Sequence, residues 1–495
     1  MKVVITADRT IASNFRQSFW IGGFFSSFPK RYWTTPFYKY LTPWCPVDKQ
    51  GIFEEAPLSL RKVESSLINN DITCLSVHPK YLEKHVQDGD ILAVSCVDPL
   101  GCGPVPSLVS MFFKSAANNF LKLEFENLIT KIKELRKKRD FEFVVGGAGA
   151  FYLIDKMDHY GIDHVYVGEA EIDFPKFVEN GHSKRVIQGK SPKVDKIYPI
   201  VNPTGGCVEI SRGCGRGCKF CSLALKGSMR SIPVENISKE IHVNQRRKCA
   251  DFILQTEDFL LYNSNKNLIP QTDAIMDLFK SIFSIGGINT VFPMHASFSS
   301  VLSNPDLIDK LSSFLKSKGQ KTLASQPGIE TGSSRLLMDT MPGKKLPFKD
   351  MEWSEVVLDS LKVLKRNGWT LVSTLILGLP NETEDDIDDT IELVKAIDYE
   401  RCLVVPLLYS ITKHTELKDK ATLVDNHIIK KHWQLIVTCW KNNFKRIPKM
   451  YGDMHHNSNI LGDSLTKFGI WFLKKSFEIN FEKRIEQGKS PIYSN

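Results

Sequence analysis

Short apolar runs and longer stretches of helical period take turns along the first ~180 residues. The runs Val3 to Thr6, Ile72 to Val77, Ile91 to Cys96, Phe141 to Val145 and His164 to Val167 predict strands. Pro57 to Ile68 and Phe120 to Arg139 predict helices, the second with a Lys-rich outer face. Such alternation implies a parallel sheet covered on both faces, a doubly wound Rossmann-like domain whose ligands sit beyond the carboxyl ends of the strands. Those ends carry unusual residues. Asp98-Pro99-Leu100-Gly101-Cys102-Gly103-Pro104 follows the third strand, Gly146-Gly147-Ala148-Gly149-Ala150 the fourth and Gly168-Glu169-Ala170-Glu171 the fifth.

Gly181, Lys190, Pro192 and Pro203 mark a linker, after which the pattern resumes near Cys207 with wider spacing. Strands are expected at Cys207 to Ser211, Phe252 to Gln255, Thr290 to Met294, Gln326 to Glu330, Leu371 to Leu377 and Leu403 to Pro406, with helices such as Asn304 to Leu315 and Glu384 to Ala396 between them. Six such units form a partial (β/α)6 barrel, with its chemistry at the C-terminal ends of the strands. The expected organisation of this α/β chain is therefore 1–180, a Rossmann-like domain; 181–204, a linker; 205–410, a partial barrel; and 411–495, a helical extension rich in Trp, His and Lys.

Composition changes this picture little. The net charge of +9 is scattered rather than striped, which reads as a solvated basic surface; no nucleic acid partner is expected. No stretch approaches the ~18 apolar residues of a membrane helix. The start has no charged region ahead of a long apolar one, so no signal peptide is expected and the protein is placed in the cytoplasm. Eleven cysteines, an odd number, fit reduced thiols and metal ligation better than a disulfide framework.

Three of them are grouped. Ser211-Arg212-Gly213-Cys214-Gly215-Arg216-Gly217-Cys218-Lys219-Phe220-Cys221 places Cys214, Cys218 and Cys221 within one short Gly-rich loop, where backbone can wrap closely around a compact group. Clusters that only carry electrons usually take four Cys ligands, so three thiolates leave one iron open. The competing assignment is a structural zinc with Cys207 or His295 as fourth ligand, and paired C-x2-C knuckles are absent from the sequence. The remaining cysteines have no ligand-like spacing.

The spacing C-x3-C-x2-C resembles the signature of the radical S-adenosylmethionine (SAM) superfamily, and the resemblance continues downstream over about 205–410. It implies that the three cysteines hold a 4Fe-4S cluster whose fourth iron binds SAM. Gln255-Thr256-Glu257-Asp258-Phe259 stands where these proteins contact the SAM amino group, which makes Glu257 and Asp258 candidates. Gly328-Ile329-Glu330-Thr331-Gly332-Ser333 looks like the segment near the SAM ribose and carboxylate, with Glu330 and Ser333 as contacts. Leu377-Gly378-Leu379-Pro380-Asn381-Glu382-Thr383 looks like the "GLPxET" segment, Gly378 letting backbone approach the adenine. Phe220 joins them as a cofactor-binding residue. No catalytic acid or base is evident.

A doubly wound domain ahead of such a barrel, with Gly146-Gly147 and Ala150 after one strand and Gly168-Glu169 with Glu171 after the next, resembles the cobalamin-dependent radical SAM family. The likeness implies cobalamin bound by Asp98, Gly101, Gly146, Gly147, Gly149, Gly168 and Glu169. The Asp-x-His-x-x-Gly motif that supplies a lower ligand to cobalt elsewhere is absent from the sequence, and Tyr152 stands where a dinucleotide fingerprint needs its third glycine. Thr6 to Thr10, Ala56 to Glu64 and Asp98 to Gly101 look like segments of archaeal members, the neighbourhood that includes the methanogen glutamine C-methyltransferase. The implied activity is reductive cleavage of SAM and methyl transfer to an unactivated carbon of a small molecule or protein side chain, with a reduced ferredoxin or flavodoxin as electron donor. The alternatives are a radical SAM enzyme that rearranges or cyclises its substrate, and a cobalamin or cluster sensor without turnover. Trp433, Trp440 and Tyr451 are expected to pack as helix or cover the site, and His455-His456 to lie in a surface loop.

Overall fold

The computed structural model of the chain describes residues 1–15, 25–31, 34–112, 118–181, 183–221, 227–264, 267–410, 415–417 and 428–454, together with 471, 474, 475, 477, 478 and 485. Tyr451, as a side chain, and His455-His456 lie outside the described residues.

Six parallel strands build the N-terminal sheet: β1 (Val3–Ala7), β2 (Cys74–Ser76), β3 (Ile91–Ser95), β4 (Glu142–Gly146), β5 (His164–Val167) and β6 (Val186–Gln188), in the order β2-β1-β3-β4-β5-β6. Alternation along β1 feeds two cores. Val4 joins Leu92, Phe143 and the helix Phe120–Arg136 on one face, and Val3 and Ile5 join Leu60 and the helix Leu58–Ile68 on the other. The chain reverses direction across the sheet between β1 and β3, where such sheets open a crevice beyond their carboxyl ends. β6 was not expected: it falls within the segment read as a linker, and it pairs with β5 from Val165 with Val186 to Val167 with Gln188. Three residues are too short a run to show an alternating pattern.

Six further parallel strands follow: β7 (Cys207–Glu209), β8 (Asp251–Gln255), β9 (Thr290–Pro293), β10 (Leu323–Ser325), β11 (Trp369–Leu377) and β12 (Cys402–Leu408). They pair as β9-β8-β7 and β10-β11-β12, and the Gln326 N–H to Met294 carbonyl bond of 2.9 Å joins the two triplets into one open arc. Two expected strands shift. The fourth is Leu323–Ser325, not 326–330, and Glu330 instead forms an isolated parallel bridge to Leu375. The first stops at Glu209, and Ser211–Arg212 pairs antiparallel with Arg230–Ser231 as a separate ribbon.

Helices pack around the arc over one continuous apolar core that includes the fully buried Trp353 and Trp369. The helix Glu384–Ala396 starts with a capping box between Thr383 and Asp386. The helix Lys430–Met454 covers the free edge of β12, where Asn443 accepts from Val404 N–H at 2.9 Å and donates to its carbonyl at 2.7 Å, as a neighbouring strand would. Trp433 is buried in that contact. Among the described residues no helix is long and apolar enough to cross a membrane.

Candidate cluster and cofactor site

The cysteine loop springs from the ribbon Ser211–Arg212/Arg230–Ser231, at the carboxyl end of β7. Gly213, Gly215 and Gly217 take left-handed φ of 77°, 73° and 66°, which folds the loop tightly about Cys214 and Cys218. No disulfide engages any of the eleven cysteines. Burial pushes the Cys214 and Cys218 thiols up, while Arg216 and Lys344 pull them toward thiolate.

Arg216, between the first two cysteines, was not anticipated. It is 5 % exposed, and its guanidinium donates to the carbonyls of Gly343 and Leu346 at 3.0 and 3.2 Å and to Ser300 Oγ at 2.7 Å. Gly343 packs so closely that a Cβ there would lie 2.0 Å from the Arg216 carbonyl oxygen. Lys219 N–H donates to the Thr340 carbonyl at 2.9 Å. Phe220 is partly buried against the main core.

The carboxylates at the end of β8 divide the work. Asp258 Oδ2 accepts from Ser297 and Ser300 at 2.6 and 2.7 Å and lies 3.5 Å from Arg216, which braces the loop from behind, while its Oδ1 is enclosed with no hydrogen-bond partner. Glu257 Oε2 is enclosed with no hydrogen-bond partner. Burial, then the charge of Glu209, pushes its carboxyl up to about 7, against a hydrogen bond from Gly213 N–H. An enclosed acceptor without a donor is a place for a cationic amine.

Glu330, held at φ 67°, accepts from Lys344 Nζ at 2.8 Å and from Thr374 Oγ1 at 3.1 Å. Lys344 is buried and within electrostatic reach of Cys218. Ser333 is turned to structure: it caps the helix Ser334–Thr340 at Leu336 N–H and donates to Asp386 at 2.6 Å. Gly378, at φ 79°, donates to Glu382 at 2.7 Å, and the same oxygen meets His432 Nε2 at 2.7 Å. Half-buried His295, whose pKa burial lowers, lies near Asp258, Glu330 and Lys344.

At the N-terminal sheet a cavity of about 190 Å³ opens over the carboxyl ends of β1, β3, β4 and β5. Gly146, Gly147, Gly168 and Glu169 line it with Ser59, Ser95 and Tyr166. Gly146 leaves it open, since a Cβ there would meet nothing nearer than 3.8 Å. Gly149 serves packing instead: a Cβ would lie 2.0 Å from the Val97 carbonyl oxygen. Asp98, raised by burial, accepts from Gly103 and Cys102 N–H at 2.8 and 3.0 Å and folds its own loop, while Gly101 lies against Asn119.

Glu169 departs from expectation. Both its carboxylate oxygens are taken by arginines of the second half, Arg212 and Arg230, and its neighbour Glu171 pairs with Arg212 at 2.6 Å. It borders the cavity with both carboxylate oxygens already paired. Arg212, two residues before Cys214, also lines that cavity.

Residues 208–394 match the family model described as the radical SAM superfamily. This segment is a radical SAM domain. Such a domain takes a 4Fe-4S cluster and SAM, and the loop fits them: it carries three cysteines without disulfides, two of them near cations, and its Gly213 N–H meets the carboxylate of Glu257, whose Oε2 is enclosed without a hydrogen-bond partner.

The chain is 26% identical over 317 residues to the tRNA-2-methylthio-N(6)-dimethylallyladenosine synthase of Fusobacterium nucleatum, covering 60% of this chain and 66% of that protein. It is 30% identical over 200 residues to the ribosomal protein uS12 methylthiotransferase RimO of Thermosipho melanesiensis, covering 39% and 42%. It thus spans about two thirds or less of these relatives' lengths. In fold, the radical SAM domain and the sheet before it together resemble the radical SAM methyltransferase TsrM of Kitasatospora setae, solved with cobalamin and a [4Fe-4S] cluster bound, at a TM-score of 0.55 and 13% identity over 84% of this chain and 74% of that one. The cobalamin-dependent SAM radical enzyme OxsB aligns at a TM-score of 0.52 and 15% identity over 88% of this chain and 57% of that one.

Proposed function

We infer that the chain is a cobalamin-dependent radical SAM C-methyltransferase. The observation that carries this reading is Arg212: it stands two residues before Cys214 and also lines the cavity of the N-terminal sheet. The cluster loop and that cavity are therefore adjacent, as two cofactors serving one carbon require. A bound cluster and SAM supply a radical able to activate a carbon that has no usable lone pair, and a corrinoid supplies the methyl group.

This chain's own residues bind and orient. Cys214, Cys218 and Cys221 hold the cluster with one iron open, Glu257 receives the ammonium of SAM, and Lys344 offsets negative charge beside Cys218. Gly146 leaves room for a flat arm of the corrinoid beyond β1, β3, β4 and β5, while Gly147 and Gly168 let the backbone turn closely around that space. The substrate class is a small molecule or protein side chain, in line with the archaeal glutamine C-methyltransferase likeness, and the electron donor a reduced ferredoxin or flavodoxin.

The curated relatives favour a second reading, methylthio transfer. That reaction needs a sulfur source, commonly a second cluster, and beyond the three-cysteine loop the sequence holds no second compact cysteine group. The test is to incubate anaerobically purified, reduced protein with SAM and to count iron and cobalt alongside the products. Formation of 5′-deoxyadenosine together with S-adenosylhomocysteine supports methyl transfer when cobalt is present. 5′-Deoxyadenosine alone supports a rearrangement or cyclisation, and neither product supports a sensor.

A further inference from the structure

Arg212 and Arg230 stand directly opposite each other on the antiparallel ribbon, so the whole segment bearing Cys214, Cys218 and Cys221 is the connection of a two-rung stem. Like charges facing across a ribbon repel. One carboxylate from the N-terminal sheet lies across both. Glu169 Oε2 accepts from Arg212 Nη1 at 2.6 Å and Arg230 Nη1 at 3.0 Å, and Oε1 accepts from Arg230 Nη2 at 2.8 Å.

The three side chains are only 12 to 16 % exposed, where charge-assisted pairs are little screened. Burial alone would raise the Glu169 carboxyl, but the hydrogen bonds from Arg230, Arg212 and Ser191 outweigh it and hold it below the usual range. The glutamate is itself held in place. Tyr166 Oη donates to its carbonyl at 3.0 Å, and Gly168, at φ 107°, packs so tightly that a Cβ would lie 2.7 Å from the Gly189 carbonyl oxygen. Arg212 is occupied further by Glu171 and Glu209, each at 2.6 Å, and Arg230 by the Pro192 carbonyl at 2.9 Å.

We propose that Glu169 is a positioning residue for the cluster loop: by bridging Arg212 and Arg230 it closes the stem, so that docking of the N-terminal sheet sets how firmly the three cysteines retain a cluster. This deepens the reading given above and rests on its assignment of the cysteines as ligands. Glu169 touches neither cluster nor SAM in this role; it acts through the two arginines.

The experiment uses the full chain loaded anaerobically with iron and sulfide, and follows iron release to a ferrous chelator together with the EPR signal of the reduced cluster. Glu169→Gln is expected to release iron at least about tenfold faster than wild type and to broaden the signal, in the range seen when supporting groups around metal ligands are lost. Adding Arg230→Gln to Glu169→Gln removes one of the two facing charges and is expected to recover most of that loss, a reversal that general destabilisation does not produce.

A Glu169→Gln rate within about twofold of wild type overturns the proposal. So does a double variant that releases iron faster than the single one. Should Glu169→Gln lose its far-ultraviolet circular dichroism, Glu169→Asp, which keeps the charge and shortens the reach across the two arginines, reports the same stem, and its iron release within about twofold of wild type overturns the proposal equally. Wild-type protein that takes up no iron overturns the ligand assignment and the clamp with it; wild type that loads while the variants match it overturns the clamp alone.

Discussion

A carboxylate oxygen that no donor reaches, enclosed in the fold, calls for a cation, and Glu257 presents one just beyond the carboxyl end of β8. Its pKa of about 7 stands above the ordinary 4.5, so the folded protein favours the neutral form and the charged form costs free energy as pH rises between those values. An amine ligand reverses the preference. SAM affinity is therefore expected to rise up to about tenfold per pH unit below about 7 and to level off above it, and Glu257→Gln to flatten the profile, as measured by equilibrium binding to cluster-loaded protein. Cys214→Ala, Cys218→Ala and Cys221→Ala are each expected to abolish 5′-deoxyadenosine formation; full activity with iron content intact in any of them would refute the ligand assignment. The cysteine group stands out in the sequence because its spacing is local. Arg216 and Lys344 do not, since their meaning lies in partners brought near only by the fold, such as Ser300, 84 residues beyond Arg216. The pairing of Glu169 was hidden for the same reason: an acid after a strand shows no local sign of the arginines 43 and 61 residues away that engage it.

Among the elements, two glycines of one loop separate stability from binding. Gly149→Ala drives a Cβ to 2.0 Å from the Val97 carbonyl oxygen, backbone that cannot swing aside, and is expected to cost about 2 to 4 kcal/mol in urea unfolding. Gly146→Ala meets nothing nearer than 3.8 Å and is expected to leave stability within about 0.5 kcal/mol while weakening aquacobalamin binding, read from its visible spectrum. On the arc, Asn443→Ala leaves both polar groups of Val404 without their partner in a buried place, at an expected cost of about 2 to 3 kcal/mol. The helix Glu384–Ala396 was readable to the residue because its period and its capping box are written in adjacent positions. β10 was misplaced by three residues, because the chain leaves the ladder after Ser325 and bridges β11 again only at Glu330, which sits at φ 67°. β6 left no signal beyond three residues, and pairing with β5 alone defines it.

Taken whole, the molecule joins its two halves through buried charge. Lys62, Arg212 and Arg230 meet Glu169, Glu171, Glu209 and Glu240 in one network, three cations against four carboxylates. Lys62 and Arg212 hold Glu209 down at about 2 against its burial, whereas burial pushes the carboxyl of fully buried Glu240 up despite Lys62 beside it. Breaking such a network by removing one side strands charges that the other side had neutralised. Residues 1–204 and 205–495 produced as separate chains are accordingly expected to be insoluble alone and to be recovered only when co-expressed, as judged by size-exclusion chromatography. The parallel α/β architecture of each half was visible in the sequence; the interface was not, because its charges are spread from Lys62 to Glu240 and no local pattern unites them.

The turn at 339–346 adds an order in time. The cysteine loop emerges from the ribosome more than a hundred residues before the Gly343, Leu346 and Thr340 carbonyls that lock Arg216 and Lys219 in place. Its other anchor, Glu169, has by then already been made. If the three cysteines hold a cluster, delivery of iron and sulfide is therefore expected to be a late step of maturation, and a nascent chain arrested before residue 339 is expected to retain no iron.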